Sequence, residues 1–294
     1  MGCSGTKVKK ENYIIAEFYI DEEDINSEIH ILNCVENLIR EKRPEDRSED
    51  EKNHLQEFKN ENDLTKCSIR INDALIPFCY RYKFQAPGNY IIEYTFPIKL
   101  TQTSYMFFNC NCMKKVDLSN LDTSNLTKLR GMFQECSNLE SIIFFNSLNQ
   151  KVINMDCFFI FCEKLKNISL SNSNKDISIS FDYLFCNCSA LETVDLSNFK
   201  AKLIKATSMF SDCNNLKKVD LSGLVSTNES KLEGMFHGFT DKNKLITKDK
   251  NILKEFDDQN DGEEGLVEGV AEEGEDLYEE EGQEGEEWGE EAAS

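Results

Sequence analysis

The chain has few of the residues that enzymes most often use. It contains three histidines, His30, His54 and His237, and none stands in a nucleophile motif with Ser or Cys. No glycine-rich phosphate loop or other cofactor fingerprint is present, so neither a small-molecule substrate nor a cofactor is expected. No run of about 18 apolar residues exists, so no helix is expected to span a bilayer. Residues 1–10 lack the apolar stretch of a secretory signal, so the twelve cysteines are expected to be reduced thiols. Lysine and arginine are absent beyond Lys254, whereas 18 Asp and Glu lie between Asp257 and Ser294. Setting those 18 aside, the formal charge of −21 leaves −3 on the first 256 residues. A nearly neutral body with no basic stripe argues against nucleic acid as a ligand.

What is present divides into four segments. Residues 1–10 read Met1-Gly2-Cys3-Ser4-Gly5-Thr6-Lys7-Val8-Lys9-Lys10. Gly2 with Thr6 fits an N-myristoylation motif and Cys3 is placed for palmitoylation. Lys7, Lys9 and Lys10 would add attraction to anionic lipid, about 1 kcal/mol each. The plain alternative is an ordinary basic N-terminus. Residues 11–100 alternate as short strands over 13–20, 29–32, 67–71, 79–84 and 90–96, interrupted by a charged loop at 41–66 with room for one short helix near Leu55 and Phe58. That pattern predicts a small β module. Residues 101–256 form the repeated region, closing on an irregular sixth turn, and 257–294 a Glu/Gly tail expected to be disordered because it cannot bury enough apolar surface.

The repeat is read by aligning each Phe followed three residues later by Cys. The pairs are Phe107/Cys110, Phe133/Cys136, Phe159/Cys162, Phe185/Cys188 and Phe210/Cys213, and Phe236/Phe239 keeps the spacing without the Cys. Successive Phe positions differ by 26, 26, 26, 25 and 26 residues. Further columns follow: Met113, Leu139, Leu165, Leu191, Leu216; then Val116, Ile142, Ile168, Val194, Val219; then Leu118, Phe144, Leu170, Leu196, Leu221. This is an L-x-x-L-x-L core with one strand per turn. The expected fold is an α/β-type leucine-rich-repeat solenoid of parallel strands, with Phe and Cys on the opposite wall.

The segments Leu118-Ser-Asn-Leu-Asp-Thr-Ser-Asn-Leu-Thr127 and Gly131-Met-Phe-Gln-Glu-Cys-Ser-Asn-Leu139 resemble the BspA-type leucine-rich repeat, as do Val194–Phe199 and Met209–Leu216. The resemblance covers residues 105–240. It implies a right-handed solenoid with a role in surface attachment or protein binding, and no catalysis. The N-terminal motif moves the expected location from the cell surface to the cytoplasmic face of a membrane, with a cell-surface adhesin as the alternative.

Four features are candidate sites. Cys110-x-Cys112 and Cys186-x-Cys188 stand three turns apart, roughly 14 Å, too far to share one zinc, so no metal is expected there and the thiols are read as a buried column. On the strand face, Lys114, Glu140, Lys166, Glu192 and Lys217 alternate in sign at every turn. They form either a register-fixing ladder or, with Lys115, Asp117, Asn167, Asp195, Lys218 and Asp220, a strip that docks a protein. The segment Asp257–Gly262 with Glu268 is faintly like an EF-hand loop, but Glu264 occupies a position that needs an apolar residue. The acidic tail either solubilises the chain or docks a basic partner, and an acidic-tail calcium-binding protein is the remaining alternative function after the adhesin.

Overall fold

The computed structural model describes residues 12–41, 56–146, 148, 151–152 and 154–262. Gly2, Cys3, Leu55 and the tail from residue 263 lie outside the described residues.

The N-terminal module comprises β1 (Tyr13–Ile20), β2 (Ile29–His30), α1 (Val35–Glu41), α2 (Glu61–Leu64), β3 (Ser68–Ile71), β4 (Ala74–Ile76), β5 (Arg81–Tyr82) and β6 (Gly88–Thr95). Strand β1 alternates, burying Ile14, Ala16, Phe18 and Ile20, and pairs antiparallel with β6 along its whole length. The strands expected at 29–32 and 79–84 shrink to the two-residue pair β2–β5. The reason is a helix start that the sequence reading passed over. Asn33 Oδ1 accepts from Cys34 N, and Cys34 Sγ accepts from Asn37 N, which caps α1 and turns the chain out of the ladder. Arg40 grips the Glu61 carboxylate with its two terminal guanidinium nitrogens, and Tyr80 donates to the same carboxylate, joining α1 to α2.

The solenoid strands are β7 (Met113–Asp117), β8 (Ser141–Ile143), β9 (Asn167–Ser169), β11 (Thr193–Asp195), β13 (Lys218–Asp220) and β15 (Leu245–Ile246), with β10 (Asn172–Ser180), β12 (Phe199–Lys205) and β14 (Leu224–Val225) on a second side. The module does more than cover the first turn. Its β1 pairs antiparallel with β7, so the sheet runs β4-β3-β6-β1-β7-β8. The next ladder, β9-β11-β13-β15, is separate. The break falls where turn two buries both Phe144 and Phe145. Strand β8 itself ends at Ile143, the same repeat position at which β7, β9, β11 and β13 end. A second parallel sheet, β10-β12-β14, was not foreseen by the expectation of one strand per turn.

The opposite wall is the Phe/Cys column. Rings of Phe107, Phe133, Phe159, Phe185, Phe210 and Phe236 stack at 5.4–6.0 Å with interplanar angles of 5–15°. Such aromatic pairs add roughly 0.5–1.5 kcal/mol each beyond area burial. The cysteines lock successive turns together: Cys136, Cys162, Cys188 and Cys213 donate Sγ–H to the carbonyls of Phe107, Phe133, Phe159 and Phe185 at 3.0–3.2 Å. Two columns of left-handed residues four apart bracket each Phe, for example Tyr105 and Asn109, or Tyr183 and Asn187. They aim alternate N–H groups at the next turn, as Phe107 N to Met132 O and Phe133 N to Phe158 O.

The last turn ends on α3 (Lys250–Gly262), not on irregular chain. Phe256 packs against the Phe236 and Phe239 rings, and Ile252, one turn earlier, is also buried. Glu255 Oε1 and Gln259 Oε1 accept from Gly234 N and Phe236 N at 3.0 and 2.9 Å. These are the N–H groups that a further turn would otherwise satisfy. The helix includes Asp257–Gly262, the first residues of the stretch read as a tail and the start of the segment set aside as an EF-hand loop.

Candidate functional site

The pleat decides what the strand face presents. In turns one, three, four and five one buried residue, Val116, Ile168, Val194 or Val219, is flanked by two that point outward, while in turn two the central Ile142 is half-buried. The register sets Lys115 beside Ser141 and Asp117 beside Ile143. It then sets Asn167 beside Thr193 and Thr193 beside Lys218, with Asp195 beside Asp220. Because β1 continues the sheet, Glu17 and Ile15 extend the face beside Lys115 and Asp117. Lys115 and Glu17 pair at 2.9 Å, and Glu17 holds the Lys115 ammonium above its ordinary range.

The residues read from the sequence divide by what they touch. In the alternating column, Lys114 lies 4.0 Å from Glu140, and Glu192 pairs with Lys217 at 2.7 Å. The Lys217 partner holds Glu192 below the usual carboxylate range, with Lys166 adding to the effect. Between Glu140 and Lys166 the ladder is interrupted, because β8 and β9 belong to different sheets. Lys166, Asn167 and Lys218 are exposed, and Asn167 accepts from Thr193 Oγ1 at 2.6 Å. The aspartates have a local task. Asp117, Asp195 and Asp220 accept from Ser119 N, Ser197 N and Ser222 N at 2.8–3.0 Å. These are Asx turns that end each strand.

Sequence reasoning missed the apolar part of the face. Ile143 is 59% exposed where other turns carry Asp117, Ser169, Asp195 and Asp220. The signal was available: turn two reads Ile142-Ile143-Phe144-Phe145 where turns one and four read Val-Asp-Leu-Ser. Tyr19 on β1 is also exposed, and the Lys114 ammonium sits 4.1 Å over its ring.

The thiol column is buried and free of disulfides, as are Cys34, Cys67, Cys112, Cys157 and Cys186; Cys79 is half-buried and also free. Burial pushes the thiols up, Cys112 to about 12 and Cys157 to about 11. A nucleophilic cysteine needs the reverse shift. Among the described residues no group of three or more His, Cys, Asp or Glu is arranged to hold a metal ion, and no helix is long and apolar enough to cross a membrane.

The model of the BspA type leucine rich repeat region matches in six copies over residues 56–158 and 130–239. The match begins inside the N-terminal module, upstream of the first Phe/Cys pair. No curated protein matches, and no solved structure does. Repeats of this kind indicate a protein-interaction or adhesin-like role, and solenoids built from them are typically non-enzymatic scaffolds. With these matches spanning well over half of its length, the chain belongs to the BspA type leucine-rich repeat family.

Proposed function

We propose that the chain is a non-enzymatic interaction scaffold held at the cytoplasmic face of a membrane, with the strand face as its protein-docking surface. The observation that carries the docking role is the composition of that face. Ile143 and Tyr19 offer exposed apolar area amid charged residues of both signs, including Lys115, Glu140 and Lys166. Exposed apolar anchors set among polar residues are usual at interfaces. The charge pairs at Lys114/Glu140 and Glu192/Lys217 are exposed, so they contribute little to stability and fix register more than they hold the fold.

The membrane tether rests on Gly2, Cys3, Thr6 and the three lysines. One acyl chain binds a bilayer only marginally, and two signals are needed for stable anchoring. Gly2→Ala should therefore release the protein to the soluble fraction, and Cys3→Ser should reduce binding to a weak, reversible level. Full membrane retention of both variants would overturn the tether. The same strand face would serve the alternative, a cell-surface adhesin. Protease added to intact cells distinguishes the two, since it digests an adhesin and spares an inner-leaflet protein.

A further inference from the structure

The second sheet carries a groove that the strand face does not explain. It is open, about 600 Å³, and lies across β10, β12 and β14, between Ile177, Ser178, Lys200, Lys202, Gly223 and Val225. Lys202 and Val225 are parallel neighbours. Val225 is 56% exposed, and Ile204, further along the same face of β12, is 43% exposed. Lys200 donates to Ser197 O at 2.5 Å, but an ammonium has three donors, so it can also bind a carboxylate. Among the described residues no Asp or Glu lines the groove.

We propose that this groove is occupied in cis by the chain's own C-terminal segment Glu286-Glu287-Trp288-Gly289-Glu290-Glu291. The chemistry matches. The segment sets one large aromatic between two pairs of carboxylates, and the groove sets an exposed valine beside two lysines. Trp is the best ring partner for an ammonium, and each lysine has a glutamate within reach of the same docked ring. The reach also matches. Asp249, just before α3, accepts from Ser226 N and Oγ, one residue past Val225. Helix α3 then runs 13 residues, about 20 Å at 1.5 Å per residue, which sets the scale of the gap that the chain after Gly262 has to span back to the groove. From Gly262 to Trp288 are 26 residues, and a coil of that length has a root-mean-square span of about 28 Å. A tether whose span matches the gap gives an effective concentration near the millimolar range. That compensates for exposed ion pairs that are weak one by one.

Trp288 is the one tryptophan in the chain, so its emission in the full-length protein reads the segment directly. At low salt the emission should be blue-shifted and shielded from acrylamide. In about 1 M NaCl, where the Debye length falls to about 3 Å, it should shift to the red and become fully quenchable. The double variant Lys200→Glu/Lys202→Glu should show the red, quenchable emission already at low salt, with an unchanged melting temperature. Val225→Asp should act in the same direction. Lys217→Glu/Lys218→Glu, on the strand face, should leave the emission as it was. Emission indifferent to salt and to reversal of Lys200 and Lys202 would overturn the proposal. So would a blue shift that grows with protein concentration, because that is docking between copies.

Discussion

Replacing Gln259 with Met tests how the solenoid ends. In every inner turn, alternate N–H groups of the Phe wall donate to carbonyls of the next turn, as Phe210 N does to Met235 O at 3.0 Å. Phe236 has no such turn beyond it, and Gln259 Oε1 takes that place at 2.9 Å. Methionine keeps the length and helix propensity of glutamine and removes the acceptor. A buried donor left without a partner costs about 1–3 kcal/mol. For a folded unit near 200 residues, that lowers the melting temperature by roughly 2–4 °C per kcal/mol. Damage at one end of a repeat array frays that end first. Amide exchange should therefore accelerate at Phe236, and less at Phe210, which keeps its own acceptor. Glu255→Gln is the companion variant, since it retains an oxygen for Gly234 N. Burial holds the Glu255 carboxyl above its ordinary range. With the folded value above the unfolded one, its contribution is full at low pH and is lost as pH rises through the folded value. Glu255→Gln should flatten that part of the pH–stability curve. An unchanged melt and unchanged Phe236 exchange in Gln259→Met would refute the account of the cap.

Three further outcomes follow from the inner turns. Ile168 is 3% exposed, so Ile168→Ala should lose about 2–5 kcal/mol, whereas exposed Asn167→Ala loses one surface hydrogen bond, about 0.5–1.5 kcal/mol; equal losses in thermal melts would mean the register is misread. A β-carbon at residue 223 would lie 2.1 Å from Leu196 O, so Gly223→Ala must push two turns apart at a cost of about 1–3 kcal/mol or more, and an unaltered melting temperature would contradict that close approach. Asp122 is held at about 2 by its bond from Ser124, with Lys99 assisting; its folded value lies below the unfolded one, so its contribution is complete above the ordinary carboxylate range and fades as pH falls toward about 2, and an NMR titration with a midpoint near 4 would show that the Ser124 turn does not form.

The repeat was legible because its physics is periodic. A column of Phe, Cys, Leu and Val recurs only if each turn buries the same wall, so spacing alone located β7, β9, β11 and β13 and the thiol column. The module's long strands were legible by alternation, as in β1. What was not legible depends on partners distant in sequence. Helix α1 needed Asn33 and Cys34 to be recognised as caps, and cysteine is an unusual acceptor there. The second sheet was hidden because Phe199–Lys205 alternates within a stretch already assigned to turns. Helix α3 was obscured by acidic residues shared with the tail, although Ile252, Phe256, Glu255 and Gln259 stand at helical spacing.

The docking strip was half legible, and the reason lies in what a repeat conserves within itself. Lys114, Glu140, Glu192 and Lys217 alternate in a way that any reader of the columns can see, and neighbouring members do meet across adjacent strands. The aspartates looked equally available, yet Asp117, Asp195 and Asp220 recur because each ends its strand by bonding the backbone two residues on. A position that repeats for a structural reason says little about a partner. The informative position is the one where the structural reason lapses. Turn two gives up the Asx turn, replaces Asp with Ile143 and Ser with Phe145, and loses ladder continuity with β9. Phe145 is buried and explains part of that change through its contact with Phe144 at 4.6 Å. Ile143 gains nothing from it, since more than half of its surface stays in water. An exposed isoleucine beside a sheet edge invites unwanted association. On the reading that the strand face is an interface, Ile143 is the residue a partner covers, and Ile143→Asp, which restores the turn's usual residue, should weaken that partner without destabilising the solenoid.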